Sequence, residues 1–374
     1  MNKILFISSY APSLINFRLE LIKDLLSRNH SVSIAAPKEK FSNEIKKELN
    51  SLGVNIYTFS LSRTGLNFFR EIRSLYQIFM IIKKTKPGVI IAYTVKPVIY
   101  SGLIVKFFKK IRYYPLITGL GYAFISQESL KHKIFNYLII KLYNLGLKNS
   151  TKIIFQNKDD QDFFNNLKII NKEQISKIVN GSGVDLDLFP FSKLPTKPVF
   201  LMISRLLIDK GVREYVEAAK IVRSRFPDVI FQLAGYLDKN PSSITKKELQ
   251  KWINEGCITY LGEIKPVQSI LRTCRYYVLP SYREGTPRST LEALATGRPV
   301  ITTDVPGCRE TVIHEKNGLL VKVKDPDSLA KAMIRLLKER DEVVKKMATQ
   351  SYLLAKHKFQ ISNVNKSMLN IMNL

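Results

Sequence analysis

Short apolar runs alternate with amphipathic stretches along the chain, and the alternation itself predicts the class of fold. Residues 3–9, KILFISS, read as a buried strand, and residues 14–28 as the helix that follows it. The exchange repeats with strands over 31–36, 55–58 and 88–93 and helices over 41–52 and 68–84. Strands over 115–118 and 151–157 and a helix over 158–167 complete a first series. Apolar runs without in–out alternation are what parallel strands covered on both faces require. A second series opens with a strand over 199–203 and a helix over 211–225. Strands over 229–234, 258–262 and 277–279 follow, then helices over 288–295, 326–338 and 341–357. The rhythm predicts an α/β protein with helices on both faces of parallel sheets.

A chain of 374 residues suits two domains of about 150–200 residues each. Residues 189–198 hold three prolines and little periodicity, so they read as a linker between a domain over 1–188 and a second over 189–358. The three cysteines, Cys257, Cys274 and Cys308, and four scattered histidines show no metal-ligand spacing. No disulfide framework and no zinc site is expected, which fits a reducing cytoplasm.

Charge changes the picture. The formal net charge is +28, and between residues 63 and 158 there are 17 Lys or Arg against two acids, Glu71 and Glu128. Nucleic acid and anionic membrane are the two partners such a balance suggests. With no RNP-like, zinc-finger or helix-turn-helix signature, the reading favours membrane. Residues 101–114, SGLIVKFFKKIRYY, are expected to form a helix with Leu103, Phe107 and Ile111 on one face. Lys106, Lys109, Lys110 and Arg112 would flank that face and meet lipid headgroups, with Phe108 and Tyr113 inserting shallowly. No stretch is long enough to span a bilayer; residues 134–147 come nearest and carry Lys141.

The densest chemistry lies between residues 277 and 321. A strand ends at Pro280, a turn carries Glu284 and Gly285, and Pro287 opens a helix that Gly297 and Pro299 terminate. The amides of Gly285, Thr286, Arg288, Ser289 and Thr290 would point out of the helix start as a phosphate site. Glu292 stands among Leu291, Leu294 and Ala295, where a carboxylate needs a partner such as a pair of sugar hydroxyls. Upstream, Arg205 and Lys210 share the loop after the strand over 199–203, a bidentate fork and a point charge suited to one anionic ligand.

Glu284 and Glu292 eight residues apart after a strand, followed by Ala-x-Gly-x-Pro-Val-Ile and Gly-x-x-Glu, resemble the donor site of the retaining GT-B glycosyltransferases of family 4. The segment Asn-Gly-x-Gly-Val-Asp over 180–185 is similar to that family's crossover into its second domain. The resemblance is nearest to bacterial enzymes that extend lipid-linked sugars for O-antigen, capsule or protein glycosylation. It implies two Rossmann-like domains with parallel sheets facing across a cleft, and a tail over 359–374 that crosses back to the first domain. It assigns Arg205 and Lys210 to the donor diphosphate, Glu284 to the donor sugar and Glu292 to the ribose hydroxyls, none as a nucleophile. Gly285, Thr286, Pro287, Arg288 and Ser289 line the donor, and main chain near Gly235 and Ile264 meets the base. On the acceptor side stand Gly119, Gly121 and Lys96, the last beside Val95 where the family often has a histidine. The family's paired glycines after the first strand are replaced by Ala11-Pro12.

The function that follows is metal-independent transfer of a sugar, an N-acetylhexosamine, from a UDP-sugar to a polyprenyl-diphosphate-linked saccharide. No cofactor beyond the nucleotide-sugar is expected, and the protein would sit in the cytoplasm on the anionic inner face of the cell membrane. The spacing Asp185-Leu186-Asp187 is a bare Asp-x-Asp match away from the donor loop, and it is discounted as a metal site. Two alternatives are a UDP-sugar epimerase of the same architecture and a non-catalytic module that senses sugar nucleotide at a membrane.

Overall fold

The computed structural model describes residues 1–61, 68–120, 130–238, 240 and 242–374. They divide into two compact units, Met1–Val179 with Asn365–Leu374, and Asn180–Val364. The proline-bearing stretch over 189–198 therefore belongs wholly to the second unit. Arg298, fully buried, holds its start by donating to the Ser192 carbonyl at 2.8 Å and the Cys274 carbonyl at 3.0 Å.

The first unit begins β1 (Lys3–Ser8), α1 (Pro12–Ser27), β2 (Ser31–Pro37), α2 (Asn43–Ser51), β3 (Asn55–Phe59), α3 (Phe68–Thr85) and β4 (Val89–Tyr93). It continues α4 (Val95–Val105), β5 (Arg112–Ile117), α5 (Leu130–Leu147), β6 (Ile153–Phe155), α6 (Lys158–Asn166) and β7 (Ser176–Ile178). The seven strands are parallel in the order β3-β2-β1-β4-β5-β6-β7. Successive strand residues face opposite sides of a sheet. Accordingly Leu5, Ile7, Ile90 and Ala92 join the core beneath α3, α4 and α5, whereas Ile4, Phe6, Val89 and Ile91 join the core beneath α1 and α2.

The second unit runs β8 (Val199–Ile203), α7 (Val212–Arg223), β9 (Ile230–Ala234), α8 (Lys246–Asn254), β10 (Thr259–Tyr260), α9 (Gln268–Thr273) and β11 (Tyr276–Leu279). Then come α10 (Arg288–Ala295), β12 (Val300–Thr303), β13 (Gly318–Val321), α11 (Pro326–Lys338), α12 (Asp341–Leu354) and α13 (Ile361–Met372). Its six parallel strands take the order β10-β9-β8-β11-β12-β13. In each sheet the order reverses once, between β1 and β4 and between β8 and β11. Ligands of open α/β sheets bind outside the carboxyl ends of the strands at such reversals.

The tail returns later than the sequence suggests. Phe359 is still part of the second core, and the division falls between Val364 and Asn365, inside α13. Met368, Leu369 and Met372 then enter the first unit's core, and Lys152 Nζ donates to the Ile371 carbonyl at 2.7 Å.

The expected basic helix over 101–114 does not form. α4 ends at Val105, Lys106, Lys109 and Lys110 lie exposed in the following turn, and Arg112 begins β5. Arg112 is half-buried and bonded inside the unit, to the Met372 carbonyl at 3.0 Å, and Tyr113 is completely buried, so Tyr113 cannot insert into lipid. Apolar positions 103, 107 and 111 fit a helical period, but pairing of Arg112–Ile117 with β4 overrides it. Pro115 is tolerated within the strand because pairing with β6 begins only at Leu116.

Gly102 on α4 and Gly146 on α5 let these helices cross closely. A Cβ at Gly102 would lie 1.6 Å from the Gly146 carbonyl oxygen. Gly102→Ala is therefore expected to destabilise the first unit by about 3 kcal/mol, the upper end for overpacking, seen as a lowered denaturant midpoint.

Candidate functional site

The loops after β8 and β11 meet at the reversal in the second sheet, because those two strands are neighbours although their loops are over seventy residues apart in sequence. After β8 the chain passes Ser204 and Arg205 and makes a short turn, Ile208–Lys210, before α7. After β11 it passes Ser281, whose hydroxyl donates to Glu284 Oε1 at 2.8 Å. Lys210 Nζ reaches the same oxygen at 2.5 Å, and both side chains of this ion pair are mostly buried, 14% and 16% exposed. The Tyr282 N–H donates to the Asp209 carbonyl at 2.8 Å, which ties the two loops at the main chain.

A third loop braces the turn. The Glu284 N–H donates to the Pro306 carbonyl at 3.1 Å, and a Cβ at Gly307 would lie 2.3 Å from the Glu284 carbonyl oxygen. Gly307 is thus the residue in the Gly-x-x-Glu segment that lets the loop after β12 support Glu284 from behind.

Arg205 donates from Nη1 to Asp238 Oδ2 at 3.0 Å, and Asp238 is 7% exposed against 36% for the arginine. Sequence reasoning missed Asp238; the signal was an acid shortly after the strand ending at Ala234. At Gly235, expected near a base, the N–H donates to the Gly262 carbonyl at 2.7 Å and the carbonyl accepts from the Tyr260 hydroxyl at 2.8 Å. It couples the ends of β9 and β10, and Ile264 lies two residues beyond Gly262, packed against the core.

α10 starts where the sequence places it, with Pro287 as its N-cap. Thr286 packs against Gly181 of the Asn-Gly-x-Gly-Val-Asp segment, and Ser289 faces the buried Tyr277 hydroxyl. Glu292 is buried one turn into the helix from Arg288, which donates from Nε to Glu292 Oε1 at 2.8 Å. Burial raises the Glu292 carboxyl above the usual carboxylate range, and the Arg288 charge opposes that rise. An ionised carboxylate here is thus partly uncompensated, a state that hydroxyl donors from a ligand would relieve.

The residues expected on the acceptor side behave differently. Lys96 lies in the first turn of α4 and pairs with Glu71 Oε1 at 2.6 Å. The Tyr100 hydroxyl donates to the other oxygen of Glu71, and burial, with Glu71 second, pushes that phenol well up. Thr94, which precedes α4 at the reversal in the first sheet, has φ 71° and ψ 153°. For a β-branched residue this conformation costs about 1–3 kcal/mol. It is held by the Ser9 N–H, which donates to Thr94 Oγ1 at 3.3 Å, and by Thr94 Oγ1 against Ser9 Oγ at 2.9 Å. Gly119 follows β5 with φ 123°, and Gly121 lies outside the described residues.

Asp185 Oδ1 accepts from the N–H groups of Asp187 and Leu188 at 2.9 and 3.3 Å, so the Asp-x-Asp spacing is a local turn. Among the described residues no group of three or more His, Cys, Asp or Glu side chains could hold a metal ion. All three cysteines are buried, and burial pushes the Cys274 and Cys308 thiols up to about 12.

Comparisons with known proteins bear on the fold and the family. Residues 197–339 match the family described as Glycosyl transferases group 1, and residues 3–157 the family described as Glycosyl transferase 4-like. The chain is 29% identical over 348 residues to the N,N'-diacetylbacillosaminyl-diphospho-undecaprenol alpha-1,3-N-acetylgalactosaminyltransferase of Campylobacter jejuni, covering 89% of each chain. It is 27% identical over 293 residues to the UDP-Gal:alpha-D-GlcNAc-diphosphoundecaprenol alpha-1,3-galactosyltransferase of Escherichia coli, covering 74% of this chain and 73% of that one. Among solved structures, sucrose-phosphate synthase from Thermosynechococcus elongatus superposes with a TM-score of 0.82 at 17% identity, over 100% of this chain and 98% of that one. Anabaena HepE in complex with UDP gives 0.78 at 18% identity, over 99% of both chains. The paired parallel sheets have the GT-B fold, and the chain belongs to the GT-B glycosyltransferases of the family 4 type.

Proposed function

We propose that the chain moves an N-acetylhexosamine, with retention and without a metal, from a UDP-sugar to a saccharide carried on polyprenyl diphosphate. The observation that carries this reading is the Lys210–Glu284 pair at the reversal of the second sheet, with Arg205 on the same loop as Lys210. A departing UDP gains negative charge on its diphosphate. Arg205, Lys210 and the start of α10 supply fixed positive charge and N–H donors there, each well-aimed donor worth about 3 kcal/mol of barrier lowering. Lys210 and Ser281 hold Glu284 Oε1, which leaves the rest of the carboxylate to accept from hydroxyls of the donor sugar. Glu292 takes the ribose hydroxyls, which repay the cost of its burial. The Campylobacter and Escherichia relatives, both named for action on diphosphoundecaprenol-linked sugars, support the acceptor class. That acceptor implies work at the cytoplasmic face of a membrane.

The test is transfer of radiolabel from a panel of UDP-sugars to a lipid extract, with and without EDTA. Label is expected in lipid, undiminished by chelator. Complete loss in EDTA, restored by manganese, would overturn metal independence; label recovered only as an altered free UDP-sugar would overturn transfer in favour of epimerisation.

A further inference from the structure

The outward faces of α3 and α5 carry apolar and cationic side chains and nothing else among the described residues. On α3, Phe69, Ile72, Tyr76 and Met80 are exposed, from 81% at Phe69 to 42% at Met80, and their spacing of three and four residues makes one stripe. Arg70, Arg73, Lys83 and Lys84 flank it. On α5 the exposed residues are Ile134, Tyr137, Leu138 and Leu145 with Lys133 and Lys141, and Lys141 Nζ stands 5.4 Å over the Tyr137 ring. Glu71, the acid of α3, turns inward to Lys96. Other helices of the same chain differ. α2 exposes Glu44, Lys46, Lys47 and Glu48, and α12 exposes Asp341, Glu342, Lys345 and Lys346, mixed in charge and without large apolar residues. Both α3 and α5 pack against α4, whose residues from Pro97 to Gly102 are buried, so all three cover one side of the first sheet.

We infer that α3 and α5 form a face that docks on an anionic lipid bilayer. Neighbouring exposed apolar side chains that form a contiguous patch on a folded protein mark interaction sites. A bilayer answers both features, with an acyl boundary for the stripes and anionic headgroups for the flanking cations. A second copy of the chain would bring cation against cation, and nucleic acid, whose bases could stack on the aromatic rings, has no partner for the exposed Ile72, Met80, Ile134, Leu138 and Leu145. No helix among the described residues is long and apolar enough to cross a membrane, so the face lies on the surface. The docking face rests on the reading of a membrane-borne acceptor and identifies which part of the protein meets it.

The experiment is co-sedimentation of the full chain with vesicles of phosphatidylcholine and phosphatidylglycerol. One variant changes Arg73, Lys84, Lys133 and Lys141 to Gln; another changes Tyr76, Met80, Tyr137 and Leu138 to Ser. All eight side chains are exposed, so both variants are expected to fold and to bind UDP as the parent does. Each cation near an anionic surface shifts partitioning about fivefold, so the Gln variant is expected to lose about 100-fold or more. The Ser variant is expected to lose the binding that persists at about 1 M salt, where the Debye length is about 3 Å. Parent-like pelleting of either variant overturns the inference, as does equal recruitment of the parent by pure phosphatidylcholine. A parent dimer that only the Ser variant dissociates would overturn it in favour of a second copy. Transfer to a water-soluble short-chain acceptor separates the two readings. Its failure in the parent, with pelleting intact, overturns the reaction alone; its success, with pelleting unaffected by the substitutions, overturns the docking face alone.

Discussion

Glu292→Ala is expected to weaken UDP by about 100-fold or more, since it removes hydrogen bonds to a charged group worth about 1.5–3 kcal/mol each. Calorimetry with UDP measures this directly, and parent-like affinity would remove Glu292 from the ribose site. The conservative Glu292→Gln carries a second expectation. Burial raises this carboxyl in the folded protein, so its ionised form is disfavoured there relative to the unfolded chain. That penalty is fully present above the raised folded-state value and disappears as pH falls below the unfolded one. At neutral pH the Gln variant should therefore melt higher than the parent in the absence of ligand. A gain of about 1 kcal/mol corresponds to roughly 2–4 °C in a unit of this size. The difference should close as pH is lowered through the range where Glu292 takes up a proton. A site that binds ligand at the expense of the free protein's stability behaves in this way.

Lys210→Ala is expected to lower turnover by about 100- to 1,000-fold, the loss seen when one preorganised charge-stabilising donor is removed. It should also weaken UDP, because the ammonium serves the diphosphate in the ground state as well. Glu284→Ala should lower turnover with UDP affinity nearly unchanged, since its free acceptors serve the sugar. The two residues share an ion pair at 2.5 Å, so their effects should not add. The double variant is expected to be little worse than Lys210→Ala, because without the ammonium only the Ser281 hydroxyl still holds the Glu284 carboxylate. Additive losses in turnover would show that the pair acts as two independent groups, and a Lys210 variant with parent-like turnover would move the diphosphate elsewhere.

The elements that carry the candidate site were legible in the sequence because they rest on local rules. β8 begins and ends where its apolar run does, and α11 begins at Pro326 after the N-cap Asp325, whose side chain accepts from the Ser328 N–H at 2.8 Å. The turn holding Glu284 and the helix holding Glu292 lie where Pro280, Pro287 and Gly297 bracket them. The error over 101–114 has an equally local cause. Apolar residues at a period near four suit a helix, whereas the pairing that makes Arg112–Ile117 a strand is supplied by β4, many residues upstream.

By itself, then, the sequence determined two series of parallel strands and helices, the positions of the charged residues of the candidate site, and an excess of positive charge in the first half. Only the tertiary structure decided which of those groups meet. Strand order sets β8 beside β11 and so brings Lys210 to Glu284, and it turns Asp238 towards Arg205. It likewise decided what α3 and α5 show to the outside. α3 is apolar on more than one side: Ile78, Ile81 and Ile82 are buried, while Phe69, Ile72, Tyr76 and Met80 are left out. Hydrophobic periodicity states that a helix has apolar faces; which of them the core takes, and which remains for a partner, depends on the sheet and helices packed against it.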